Sequence, residues 1–194
     1  MHIDNPMKDF VINLLKNKIP ETYYYHNYEH TLYVLDKAIE IGKHENCTEK
    51  ELELLAVAAL WHDIGYINTY KDHEEESCRM ARIHLPEYGY KTHDIEAVCG
   101  MIMATKLPHK PNNKMEEIIA DADMEYLGTG LAATQANNLF KELSTLDPSL
   151  TKAEWDKTEI RFLQDHRFFT SYCKQNSLPL KKAYLNKLIR DLKD

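Results

Sequence analysis

Glycine is scarce, with six in 194 residues, and so few leave little room for the tight hairpins that a protein built from many short strands needs. Cysteine is scarce too. The four thiols, Cys47, Cys78, Cys99 and Cys173, are far apart and form no CxxC pair, so neither a zinc ribbon nor a disulfide framework is expected. No apolar run approaches the ~18 residues of a membrane span. Basic charge is in deficit: 24 Lys and Arg against 31 Asp and Glu leave a net charge of −7. Such a chain repels phosphate on average, which argues against a protein that coats nucleic acid or binds anionic membranes. A local cationic cleft is still compatible with that balance. The opening residues MHIDNPMKDFVINLL place acids before apolar residues and lack a basic leader with a small-residue cleavage site. A cytoplasmic location is the resulting expectation.

Helical periodicity is what the chain has in quantity. Phe10, Val11, Leu14 and Leu15 form one apolar stripe, and Leu32, Leu35 and Ile39 form another, widened by Val34 and Ala38. Thr48 is placed to cap a helix that begins with Glu49, Glu51 and Glu53 and becomes LLAVAALW, apolar on every face as in a helix buried mid-domain. Further helical stretches run over roughly 73–86, 92–105, 115–126, 130–144, 151–174 and 179–193, punctuated by prolines. With 43% hydrophobic residues and no linker-like composition, the expectation is one all-α domain, 1–194, of about eight or nine helices.

Histidine is the informative residue type, with ten in the chain. Three clusters combine it with acids. In Tyr25-His26-Asn27-Tyr28-Glu29-His30, His26 and His30 share a face if both are helical. If Asn27 is instead the N-cap, His26 lies outside the helix and His30 in its first turn. In Leu60-Trp61-His62-Asp63-Ile64-Gly65, an imidazole and a carboxylate end an apolar helix, where burial is costly unless both are paired or coordinated. In Ile118-Ile119-Ala120-Asp121-Ala122-Asp123, two acids two residues apart point about 200° from one another on a helix. Asp121 is the one expected on the core face, and Asp123 a supporting group or a cap. Each cluster also has a purely structural reading: an aromatic helix entry, a His–Asp hydrogen bond, a solvated acid. Taken together, His30, His62, Asp63 and Asp121 offer two imidazoles and two carboxylates. That set is neutral with a divalent ion and suits Mn, Fe, Co, Ni or Mg.

The order YHNYEH, LWHDIGY, IIADADMEYLG resembles the HD-domain superfamily of metal-dependent phosphohydrolases, and within it a subgroup of about 200 residues. The resemblance extends to Glu74-Glu75-Glu76-Ser77, to Ala104-Thr105-Lys106-Leu107-Pro108-His109 and to Asp121-Ala122-Asp123. It covers a motif-bearing core of about 23–130, with a helical extension over 131–194. It implies an all-helical HD fold with metal ligands His30, His62, Asp63 and Asp121, and one divalent ion, a second being left open. The implied reaction is attack of an activated water on a phosphate ester of a nucleotide or another small phosphorylated metabolite.

Asp63 is expected to join coordination with proton handling. Glu75, or else Glu74, is expected to assist it, because Tyr66 stands where some relatives carry a glutamate. His26, Lys106 and His109 are the candidate phosphate contacts. His73, His84 and His109 have the residue type for a second metal site without a matching pattern. His93-Asp94 reads as an exposed cap. The competing readings are a non-catalytic metal- or nucleotide-binding module and a di-iron HD-type oxygenase. No nucleic-acid polymer or membrane partner is expected, and the sequence leaves the oligomeric state open.

Overall fold

A computed structural model describes residues 5–192. Asp4 of the acidic N-terminal stretch and Lys193 at the end of the last expected helix lie outside the described residues. The all-α expectation is met: among the described residues there are ten α-helices, three short 3-10 turns and no strand. The helices are α1 (Asn5–Lys18), α2 (Tyr28–His44), α3 (Glu49–Trp61), α4 (His73–His84), α5 (Thr92–Ala104), α6 (Lys114–Asp123), α7 (Ala132–Leu146), α8 (Lys152–Asp165), α9 (Ser171–Asn176) and α10 (Leu178–Asp191). Ten exceeds the expected eight or nine because the stretch 151–174 is interrupted. At His166 the backbone leaves the helix with ψ 137, and Thr170 starts α9 afresh, its side chain accepting the Cys173 N–H.

Local chemistry accounts for the main helix starts. Asn27 accepts from the N–H groups of Glu29 and His30 at the head of α2. Thr48 and Glu51 form a reciprocal capping box on α3, as do Thr151 and Glu154 on α8.

The described chain gathers into two compact units. Among the described residues the first comprises 5–19 and 26–123, the second 20–25 and 124–192. In the first, α3 is buried from Leu54 to Trp61 without a break and is packed by α2, α5 and α6, while α4 lies on α5 and on the 3-10 turn Ile64–Ile67. This surrounding of α3 is what its all-round apolar sequence requires. In the second, α10 packs on α8, α9 and the turn Glu125–Gly128. There the buried Glu142 of α7 accepts the Tyr25 N–H at 2.9 Å. Lys181 of α10 is also buried, and donates to the His166 carbonyl at 2.6 Å.

Candidate metal centre

The centre forms where α3 ends. Asp63 has φ −104 and ψ 3, so the chain leaves the helix between the two residues of the His-Asp pair. The 100° divergence of helical neighbours no longer applies, and His62 Nε2 lies 3.1 Å from Asp63 Oδ2. The first turn of α2 brings His30, whose Nε2 is 3.6 Å from the same oxygen. The last residue of α6 brings Asp123, with Oδ1 2.9 Å from His30 Nε2 and 3.7 Å from His62 Nε2. One ligand atom each from His30, His62 and Asp123 lies within 4.8 Å of the other two. All four side chains are buried.

Asp123, rather than Asp121, therefore supplies the carboxylate from α6. Asp121 is buried on the same helix, but it is not part of the group that converges on His30 and His62. The reason is rotational. Every residue from Ile118 to Asp123 is buried, so hydrophobicity does not mark a single inner face. Of two acids about 200° apart, Asp123 is the one whose carboxylate oxygen approaches His30 and His62.

Two features define the chemistry of the centre. His62 Nδ1 lies 2.8 Å from the Ala59 carbonyl, which fixes the proton on Nδ1 and presents the Nε2 lone pair to the carboxylates. His62 Nε2 and Asp63 Oδ2 are both buried without a hydrogen-bond partner. Buried polar atoms without partners are rare and costly, and two facing acceptor-type atoms are what a divalent cation would satisfy. Without such an ion, a proton meets the same demand. Burial alone would lower the His62 pKa, but the Asp63 and Asp123 carboxylates outweigh it and raise it to about 9. Burial works against the charged form of Asp63 as well, yet His62 and His73 hold this carboxyl well below its usual range. Asp123 is held down likewise, mainly by its hydrogen bond with His30.

The turn that carries the pair is fastened to α4. Ser77 Oγ accepts the Gly65 N–H at 2.8 Å and donates to the His62 carbonyl at 2.6 Å. A Cβ on Gly65 would stand 2.0 Å from the His73 carbonyl oxygen, so only glycine permits this approach. Asp72 enters α4 with φ 54, a left-handed turn that delivers His73 to the site. His73 Nε2 is 3.4 Å from Asp63 Oδ1, and its Nδ1 is 3.5 Å from Glu74 Oε2. Burial lowers the His73 pKa but the hydrogen bond with Asp63 outweighs this, so the ring is shifted toward the charged form.

Sequence reasoning noted His73 by type alone. Its approach depends on the Asp72 turn, which no spacing rule marks. Of the two glutamates, Glu74 is buried against His73, whereas Glu75 is half exposed and paired with Lys106 at 2.5 Å.

The remaining candidates divide. His26 lies just before the Asn27 cap, 6.2 Å from the His30 ring and 4.3 Å from Tyr66 by centroid distance. Tyr66 in turn stacks on His73 at 3.8 Å, so the residue in place of the relatives' glutamate forms the middle of a three-ring wall. His109 is close enough to Asp123 to feel its charge, although burial dominates and lowers its pKa. Lys106 bridges Asp72 and Glu75 at 2.8 and 2.5 Å. The second His-Asp pair departs from its expectation: His93 is exposed, but Asp94 is buried, with Lys50 Nζ 3.5 Å away.

The described residues are all helical around a buried cluster of His30, His62 and Asp123, with Asp63 beside it, that could hold a metal ion. The HD domain family model matches residues 27–125, and the chain belongs to that family, in keeping with its sequence motifs. The fold is similar to that of a predicted HD superfamily hydrolase from an uncultured Thermotogales bacterium. The TM-score is 0.57 at 23% identity, over 84% of this chain and 91% of that one. It is also similar to Bacillus subtilis YpgQ in complex with ADP, with a TM-score of 0.66 at 20% identity over 96% of this chain and 93% of that one. A Lactobacillus plantarum protein gives 0.67 at 14% identity over 100% and 99%. No curated protein matches the chain in sequence. Among the described residues no helix is long and apolar enough to cross a membrane.

Proposed function

We propose that this chain is a metal-dependent phosphohydrolase that cleaves a phosphate ester of a nucleotide or another small phosphorylated metabolite. One observation carries the reading: His62 Nε2 and Asp63 Oδ2 are buried without partners beside His30 and Asp123. These four residues would hold the ion, and two nitrogens with two carboxylates suit Mn, Fe, Co, Ni or Mg. When bound, a divalent ion supplies Lewis-acid charge to a phosphoryl oxygen and lowers the pKa of a water.

The chain's own groups supply the rest. The Ala59 carbonyl holds the His62 ring in one tautomer. Asp63, His73 and Glu74 form a continuous chain of titratable groups leading away from the centre, which makes Glu74 the stronger candidate for proton handling than Glu75. His26 and His109 flank the centre as the candidate phosphate contacts. Lys106 belongs to the surrounding rim, where Asp72 and Glu75 already share its charge. The YpgQ complex with ADP favours a nucleotide among the phosphorylated substrates.

The test is turnover of a nucleotide and sugar-phosphate panel with Mn, Co, Ni and Mg, on protein purified without chelator. Metal-dependent release of phosphate or pyrophosphate, lost in Glu74→Gln with the metal retained, supports the reading. Bound metal and nucleotide without release of product would instead make the chain a binding module.

A further inference from the structure

Helices α4 and α5 run antiparallel, and three side-chain pairs join α4 to α5 and the residues just after it like rungs. Glu75 meets Lys106 at the end nearest the metal centre, and Arg82 meets Glu96 through two hydrogen bonds of 2.8 and 2.7 Å at the other. The middle rung is a pair of buried thiols. The Cys78 Sγ lies 3.4 Å from the Cys99 carbonyl oxygen, and the Cys99 Sγ lies 3.7 Å from the Cys78 carbonyl oxygen. Each sulfur therefore reaches across to the other residue's backbone, and both lie in the seam between α4 and α5. Neither thiol belongs to the metal centre.

We propose that Cys78 and Cys99 are a reversible oxidation site, at which a hydroperoxide converts the dithiol into a disulfide joining α4 to α5. The Cys99 thiolate attacks a peroxide oxygen. The O–O bond breaks, hydroxide leaves and takes up a proton as water, and the sulfur is oxidised to a sulfenic acid. Cys78 then attacks that sulfur. The S–S bond forms as the S–O bond breaks, and the departing hydroxide takes the Cys78 proton to give a second water. With hydrogen peroxide, two thiols and one peroxide thus yield one disulfide and two waters.

The surroundings favour Cys99 as the attacking group. The hydrogen bond from Cys78 pushes its pKa down, burial opposes this, and the Arg82 guanidinium adds to the lowering. Cys78 is pushed up in the same exchange, so it keeps its proton while Cys99 reacts first. The bridge would fix the relation between the turn bearing His73 and Glu74 and the helix end bearing Lys106.

Trypsin separates the two cysteines onto peptides 72–79 and 92–106, so the bridge can be read directly. The full-length, metal-loaded protein is treated with hydrogen peroxide, denatured, alkylated and digested, with a parallel sample returned to dithiothreitol. The expected result is a linked 72–79/92–106 peptide that dithiothreitol abolishes. It should persist in Cys47→Ser, be absent in Cys99→Ser, and accompany a rise in Tm of about 5–10 °C for closing a loop of this length. Full alkylation of Cys78 and Cys99 after peroxide would overturn the proposal. So would linked peptides confined to Cys47 or Cys173, or a Cys99 sulfinic acid without a bridge. The wild-type peptide map decides even if Cys99→Ser does not fold, and no step depends on the hydrolase reading.

Discussion

Replacing Ser77 by alanine removes one hydroxyl that satisfies two buried backbone groups on the turn carrying His62 and Asp63. Ser77 is fully buried, and its oxygen sits 2.8 Å from the Gly65 nitrogen and 2.6 Å from the His62 carbonyl oxygen. In Ser77→Ala the Gly65 N–H and the His62 C=O stay in place, because a Gly65 Cβ position only 2.0 Å from the His73 carbonyl leaves the turn no slack to reach other partners. A buried donor or acceptor left unpaired costs about 1–3 kcal/mol. The variant is therefore expected to lose about 2–4 kcal/mol, seen as a Tm lower by roughly 5–15 °C for a chain of this size. Urea unfolding of wild type and variant measures the loss. Ser144→Ala is the control: that hydroxyl bonds only the Phe140 carbonyl of its own helix at 2.7 Å, and the change should stay within about 0.5 kcal/mol. A Ser77→Ala protein as stable as the control variant would refute the claim that this hydroxyl fastens the centre to α4.

Gly65→Ala should cost about 3 kcal/mol or more relative to wild type, since the clash is with backbone rather than a movable side chain; thermal unfolding reads it. Glu74→Gln is expected to lower kcat by about 10²–10⁴-fold, while Glu75→Gln changes it only a few-fold because Glu75 pairs with Lys106 outside the buried centre; equal losses would contradict that division. Lys181 offers a pH test distant in sequence from the metal ligands. Burial, with Lys182 adding to it, lowers its pKa to about 8, against about 10.4 for an unfolded lysine. Between those values the unfolded chain binds more protons, so this residue's contribution to stability rises with pH, and below about 8 it is constant. Wild type should accordingly gain stability relative to Lys181→Met from about pH 8 to pH 10 in urea titrations; parallel curves would refute the assignment.

Much of the frame is legible in the chain itself. The caps Asn27, Thr48 and Thr151 act locally, within the first turn of the helix each begins, so residue identity and spacing suffice to place them. The His62-Asp63 pair is legible for a related reason, since a polar pair ending an all-apolar helix needs partners. The choice between Asp121 and Asp123 is not, because α6 is buried around its whole last turn and only packing against α2 and α3 decides which acid meets His30 and His62. Glu74 and Glu75 pose the same problem at the start of α4. Which of them is buried depends on the left-handed Asp72 turn and on Lys106 arriving from the far end of α5. The break at 166–170 escaped for the opposite reason: the segment HRFFT contains no proline or glycine.

The central claim is that His30, His62, Asp63 and Asp123 form one metal centre. The most direct test is metal content by mass spectrometry, with affinity by titration, on wild type, Asp123→Asn and Asp121→Asn purified without chelator and checked for folding by circular dichroism. Wild type and Asp121→Asn should carry about one divalent ion per chain, and Asp123→Asn should bind it about 100-fold or more weakly. Retention of the ion by a folded Asp123→Asn, together with its loss from a folded Asp121→Asn, would contradict the account.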